Sequence, residues 1–192
     1  KKNVQSIIFG GPPCQGFSLA GNRNENDKRN KLYERMLQLA KIIKPKAIVI
    51  ENVPGIATLY NGIAKKTIMD DFTSLGYKMS EPKVLYAPDY GIPQIRKRLF
   101  FVGLLDSDTD FKYPEPICKE DEYITCEQAI SDLPSLENSK GSCPMRYLNK
   151  ELSDYQVMMR KNSKELRNHM SSLHTEQTKY LIAKVPEGKT YK

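Results

Sequence analysis

The chain has 192 residues, of which 39% are hydrophobic, 9% aromatic and 28% charged, and its 30 Lys+Arg against 23 Asp+Glu give a formal net charge of +7. That is the size of one domain or one and a half, with a globular composition, and no apolar run approaches the roughly 20 residues of a membrane span or the pattern of a secretory signal. Cys14, Cys118, Cys126 and Cys143 are scattered, with no C-x-x-C pair and no nearby histidine, which argues against a disulfide scaffold or a zinc site and fits a reducing cytoplasm.

Val4 to Phe9 form a short apolar run stopped by Gly10-Gly11-Pro12-Pro13, the pattern of a buried strand. Gly16 to Lys31 is polar, rich in Asn and Gly, without a period, and reads as a loop. Leu32, Met36, Leu39, Ala40 and Ile43 then recur at helical spacing until Pro45. A second all-apolar strand, Ala47 to Ile50, is followed by a turn at 52–55, a periodic helix around Ile63 to Leu75, and Gly76 as its expected carboxyl-terminal cap. Tyr77 to Tyr86 and Leu99 to Leu105 read as strands, separated by a polar excursion holding Arg96-Lys97-Arg98. This order predicts an α/β layout with a parallel sheet and an edge hairpin, in which ligands sit at the carboxyl ends of the strands.

Beyond Leu105 the character changes. Asp106 to Tyr123 is acidic and proline-bearing and reads as a linker or surface excursion. A short helix is expected at Cys126 to Leu133, with weaker helical spacing at Leu152 to Leu166 and Thr175 to Val185. The division expected is 1–105 and 106–192. Charge is partitioned likewise: residues 1–103 carry 17 Lys+Arg against 8 Asp+Glu, residues 104–143 carry 3 against 10, and residues 144–192 carry 10 against 5. Two basic blocks favour a polyanionic partner, although a lysine-rich solvated surface gives the same count.

Two strand ends hold reactive groups. Cys14 follows the first buried strand behind two prolines that stiffen the turn, and Glu51 directly follows Ala47 to Ile50, so neighbouring strands would present thiol and carboxylate to one cleft. A cysteine there becomes a nucleophile if its surroundings favour the thiolate, and a partly buried carboxylate can donate or share a proton. The competing readings are a structural cysteine and a surface acid. In Gln94-Ile95-Arg96-Lys97-Arg98, strand alternation puts Gln94, Arg96 and Arg98 on one face, where two arginines could hold a phosphate or carboxylate, or simply protect an edge strand.

GGPPCQGFS (10–18), ENVPG (51–55) and QIRKR (94–98), in this order and spacing, resemble the cytosine-C5 DNA methyltransferases of bacterial restriction-modification systems. Asp27, Arg29 and Leu32 as D-x-R-x-x-L, KPKAIVIENV and YAPDYGIPQIRKR extend the resemblance over about residues 4–104, and ITCEQAISDLP (124–134) is similar to the segment these enzymes carry after their core strands. The resemblance implies a target cytosine flipped out of double-stranded DNA, attack of Cys14 on C6, and Glu51 at the N3 edge. Asn52 would fix the loop and base, and Arg96 and Arg98 would orient the base and the reacting site. S-adenosylmethionine is the implied methyl donor, with Pro12 and Leu32 beside it. The loop Gln15 to Lys31 would close over the DNA, with Gln15, Ser18, Arg23 and Arg29 as DNA contacts.

A complete member begins with a glycine-rich F-x-G-x-G turn and acids for the ribose and adenine, which this chain does not contain. The expected fold is therefore the second half of a doubly wound, Rossmann-like methyltransferase sheet, followed by an irregular and helical extension leading to a target-recognition region. Three origins are open: a piece of a longer protein, one subunit of a split enzyme with a complementary subunit, or a degenerate remnant. Rival functions are an RNA methyltransferase of similar fold and a non-catalytic DNA-binding or regulatory subunit. The chain alone is expected not to bind S-adenosylmethionine tightly.

Overall fold

A computed structural model describes residues 6–12, 30–136, 140–186 and 188–189. They belong to two compact units, Lys1–Tyr123 and Ile124–Lys192. Among the described residues no helix is long and apolar enough to cross a membrane.

Among the described residues the first unit is a mixed sheet with two α-helices. Its elements are β1 (Ile7–Gly10), α1 (Asn30–Ile43), β2 (Ala47–Asn52), α2 (Ile63–Ser74), β3 (Tyr77–Met79), β4 (Lys83–Tyr86) and β5 (Lys97–Leu105). The sheet order is β1-β2-β5-β3, with β4 also pairing to β5. Among the described strands only β1 and β2 are parallel; β5 runs antiparallel to β2 on one side and to β3 and β4, end to end, on the other.

The expected parallel sheet with an edge hairpin is thus corrected in two respects. β5 lies inside the sheet because LFFVGLL is apolar on both faces and gains most from being covered twice. The stretch 77–86 breaks into two strands at Ser80-Glu81-Pro82, since Pro82 cannot donate to a ladder. Buried Ser80 bonds there instead, its amide to the Val102 carbonyl at 3.0 Å and its hydroxyl accepting from the Phe111 amide at 2.7 Å.

Alternation along β2 decides which side chains meet the helices. Ile48, Ile50 and Asn52 are buried on one face, while Val49 and Glu51 point to the other. On the helix face they meet Tyr33, Met36 and Ala40 of α1 and Ala64, Ile68 and Phe72 of α2, each triplet at three- or four-residue spacing. Phe72 is the centre, edge-on to Tyr33 at 6.2 Å and to Tyr77 at 6.1 Å. Gly103 of β5 has no room for a side chain: a Cβ there would stand 2.5 Å from Met79 Sδ and 3.0 Å from Ile48 Cγ1. α2 ends as its sequence predicts, with Gly76 at φ +90° just past the last turn.

Residues 106–123, read from sequence as a linker or surface excursion, run back along this unit and belong to it. The Tyr113 hydroxyl donates to the Phe100 carbonyl at 2.9 Å, and the Ile117 and Cys118 amides donate to the Asp89 carbonyl at 2.8 and 3.0 Å.

Among its described residues the second unit holds three short helices, α3 (Cys126–Ile130), α4 (Asp154–Arg160) and α5 (Glu176–Ala183), capped by Thr125, Ser153 and Thr175. Its buried residues include the polar Asp132 and Gln156 as well as Leu166. Fully buried Gln156 donates to Ser131 Oγ at 3.0 Å and accepts from the Leu152 amide at 2.6 Å. Arg160 pairs with buried Asp132 at 2.5 Å, donates to the Asn149 carbonyl at 2.9 Å and lies 3.8 Å over the Tyr147 ring. His169 Nε2 bonds to the Pro134 carbonyl at 2.8 Å, a packing role.

Candidate active site

The carboxyl ends of β1 and β2 and the start of β5 meet at one edge of the sheet, and the register fixes which side chains share a face there. Glu51 is opposite Phe100, so Arg98, two residues earlier on β5, is its diagonal neighbour on the face away from the helices. Arg98 Nε reaches Glu51 Oε1 at 2.8 Å, and Arg96, two residues further out, reaches the same oxygen at 3.3 Å. Arg98 also donates to the Lys97 carbonyl at 2.8 Å, which holds its fork in place. The period of two that put both arginines on one face also brings them to one carboxylate oxygen.

The other oxygen, Oε2, faces Gly11. A Cβ on Gly11 would lie 3.1 Å from Oε2, so a side chain at residue 11 would push the carboxylate by a few tenths of an ångström. Asn52 points to the opposite face and is 5% exposed. Its Nδ2 donates to the Pro12 carbonyl at 2.8 Å and its Oδ1 accepts from the Val53 amide at 2.9 Å. Asn52 thereby ties the segment Gly11-Pro12 to the end of β2, while Gly11 lies close to the carboxylate of Glu51, the residue before Asn52.

A hollow of about 310 Å³ opens beside the end of β1, lined by Ile8, Phe9, Gly10, Pro12, Met36 and Leu39 with Arg35 at its side. Gly10 leaves it open toward α1, since a Cβ there would stand 3.1 Å from Met36 Sδ. The lining is mostly apolar and contains no carboxylate. It suits an apolar part of a methyl donor such as S-adenosylmethionine and offers no acid to a ribose.

Of the residues singled out from sequence, Glu51, Arg96 and Arg98 come together on one face, while Asn52 on the other face bonds to the carbonyl of buried Pro12, which also lines the hollow. Leu32 lies on α1 with its side chain outside the described part. Cys14, Gln15, Ser18, Arg23 and Arg29 lie outside the described residues. Sequence reading did not single out the approach of Gly11 to Glu51; the double glycine before the prolines was its only signal.

Comparison with known proteins identifies the family. The profile for C-5 cytosine-specific DNA methylase matches residues 1–192. The chain belongs to the C-5 cytosine-specific DNA methylase family. Within it, the chain is 39% identical over 191 residues to the type II methyltransferase M.DdeI of Desulfomicrobium norvegicum, covering 96% of this chain and 46% of that protein. It is 37% identical over 156 residues to the type II methyltransferase M1.HphI of Haemophilus parahaemolyticus, covering 80% of this chain and 40% of that one. The chain thus spans somewhat under half the length of these relatives. Among solved structures, it resembles a prophage-encoded protein of E. coli described as a DNA modification methyltransferase, with TM-score 0.62 at 24% identity over 97% of this chain and 57% of that one. The fold of the S. pombe Dnmt2 methyltransferase is also similar, with TM-score 0.51 at 20% identity over 72% of this chain and 43% of that one. Both structural likenesses agree with the mixed sheet and flanking helices described above. Methylases of this family generally use S-adenosylmethionine.

Proposed function

We propose that the chain carries the catalytic half of a DNA cytosine-C5 methyltransferase of the restriction-modification type, acting on a cytosine flipped from double-stranded DNA. The observation that carries this reading is the Glu51 carboxylate held by Arg96 and Arg98 beside a Pro12 carbonyl pinned by Asn52. Cys14, two residues after Pro12 in sequence, supplies the nucleophile in this reading and Glu51 the acid-base group.

In this reading the Cys14 thiolate forms a bond to C6 of the ring, and the C5–C6 π pair moves to C5. Glu51 binds the N3 edge and supplies or shares a proton there, which neutralises the charge that develops on the ring. The arginines fix that carboxylate and orient the base at its open side. S-adenosylmethionine, when bound, supplies an electrophilic methyl group for the electron pair at C5. Loss of the C5 proton returns the pair to the ring, and the Cys14 thiolate leaves. Pro12, Leu32 and the apolar hollow would hold part of the donor. Gln15, Ser18, Arg23 and Arg29 would contact DNA.

The sheet supports its reading as the second half of a doubly wound, Rossmann-like fold. Among the described residues β1 pairs only with β2, and Ile7 and Phe9 on β1 are 68% and 66% exposed. An open apolar edge strand calls for further strands, from the same polypeptide or from a complementary subunit. The 124–192 unit would begin the target-recognition region.

The test is methyl transfer by full-length or reconstituted protein to duplex DNA, with product nucleosides resolved. The reading expects 5-methylcytosine; methylation only at an exocyclic nitrogen, or only of RNA, contradicts it. Glu51→Gln should leave DNA affinity within about threefold and slow transfer by 10²–10⁴-fold, roughly the range of general acid-base catalysis.

A further inference from the structure

The turn that carries Arg96 begins at Tyr86-Ala87-Pro88-Asp89-Tyr90-Gly91. Pro88 is buried in a 3₁₀ turn spanning Ala87–Tyr90, and Gly91 closes it at φ +71°. The loop from there to β5 is tied to its own start: the Ala87 amide donates to the Arg96 carbonyl at 2.9 Å, and the Ile92 amide to the Ala87 carbonyl at 3.3 Å. The position of the Arg96 backbone therefore follows the position of this turn.

The turn is held in place from outside by residues 114–123. The Tyr90 hydroxyl donates to the Pro114 carbonyl at 3.0 Å, and the Ile117 and Cys118 amides converge on the Asp89 carbonyl. The Tyr123 hydroxyl makes a short hydrogen bond to Asp89 Oδ1, and its ring meets Tyr86 edge-on at 5.9 Å. Lys97 lies 5.2 Å over the other partner of that pair, Tyr86. This strap adds little to the core, since Ile117, its one aliphatic anchor, is 75% exposed. Three of the four polar contacts described between strap and turn end on one residue, Asp89, seven positions before Arg96. A segment that only covered the sheet would bury apolar side chains instead.

We propose that Tyr123 and Asp89 are positioning residues for Arg96 and Arg98, fixing through the Ala87–Tyr90 turn the arginine pair that holds Glu51. The inference rests on the proposed role of that pair. A charge-assisted hydrogen bond from a phenol is among the stronger single contacts available to a surface turn. Displacing a catalytic group by a fraction of an ångström is felt in rate well before it is felt in affinity.

The experiment uses full-length or reconstituted protein with Tyr123→Phe, Asp89→Ala and Asp89→Asn. Hydrogen exchange of peptides covering 87–98 is measured together with the single-turnover methyl-transfer rate and DNA affinity. Tyr123→Phe and Asp89→Ala should raise exchange in 87–98 and slow transfer by about tenfold, with DNA affinity within about twofold. Asp89→Asn keeps an oxygen that accepts from the phenol and should stay within about threefold of the parent rate. Unchanged exchange in both Tyr123→Phe and Asp89→Ala, or an Asp89→Asn rate as low as that of Asp89→Ala, overturns the proposal. Should Tyr123→Phe fail to fold, the two Asp89 variants decide. A parent protein without cytosine methylation would refute the proposed function, and the exchange comparison would still judge the tether.

Discussion

Replacing Asn52 by aspartate changes one heavy atom and removes one hydrogen bond. In the parent, Nδ2 donates to the Pro12 carbonyl at 2.8 Å, and Oδ1 accepts from the Val53 amide at 2.9 Å. Asn52→Asp keeps the second contact and turns the first into two acceptors facing each other at a buried site. Leaving one buried acceptor unpaired costs about 1–3 kcal/mol, and the added charge at a side chain 5% exposed raises this, for an expected loss of about 2–4 kcal/mol. A fold of ordinary stability, about 5–15 kcal/mol, survives that loss, but the Pro12 segment has a strong reason to leave Asn52. Equilibrium denaturation of parent and variant gives the stability change, and single-turnover methyl transfer gives the consequence for Cys14. Transfer should fall by at least about tenfold while DNA affinity changes little. An Asn52→Asp protein within about 0.5 kcal/mol of the parent, with a parental rate, would refute the idea that this bond holds the Pro12 segment.

Gly11→Ala should leave the thermal midpoint almost unchanged and slow transfer by roughly three- to tenfold, because a Cβ 3.1 Å from Glu51 Oε2 pushes the carboxylate by tenths of an ångström; a parental rate counts against Glu51 as the proton-sharing group. Arg160→Ala strands Asp132, which is 3% exposed, and should lower the stability of the 124–192 unit by about 3–5 kcal/mol, read as early loss of its amides in hydrogen exchange; parental protection there would show that the pair is dispensable. Alkaline titration at 295 nm should find Tyr123 ionising near 12, raised chiefly by its hydrogen bond to Asp89, and Tyr33 later still, raised chiefly by burial and then by Asp71. The folded state holds these protons where the unfolded chain loses them near 10, so this stability is complete below pH 10 and is lost as pH rises through the folded values. Tyr123→Phe should delete the step near 12, and its persistence would disprove the assignment.

The parts of the fold that announce themselves in sequence are those with a period. Ile63 to Leu75 follows from three- and four-residue spacing, and the arginines of QIRKR share a face because strands alternate. Of the α1 stripe Leu32, Met36, Leu39, Ala40 and Ile43, Met36 and Ala40 are buried, Leu39 and Ile43 are half-exposed, and Tyr33, outside that stripe, packs instead. Chain order misleads about β5, because successive strands invite an edge hairpin, while the two-sided apolarity of LFFVGLL is the better guide to its interior place. Pro82 was a visible sign that Tyr77 to Tyr86 is not one strand. Long-range polar contacts leave no such trace. Tyr123 and Asp89 are 34 positions apart, and Asp132 meets Arg160 across 28, with no spacing rule connecting them. The ENV motif pointed to Asn52, but its bond to the Pro12 carbonyl becomes visible only when β1 and β2 are laid side by side.

The most direct test of the central claim is a covalent trap. Full-length or reconstituted protein is mixed with duplex DNA carrying 5-fluorocytosine at the target, where fluorine at C5 blocks the final loss of a proton and prevents release of the thiol. The account predicts a denaturation-resistant protein–DNA adduct that requires the methyl donor and is abolished by Cys14→Ser. An adduct that persists in Cys14→Ser, or its absence from a parent protein that methylates cytosine at C5, would contradict it.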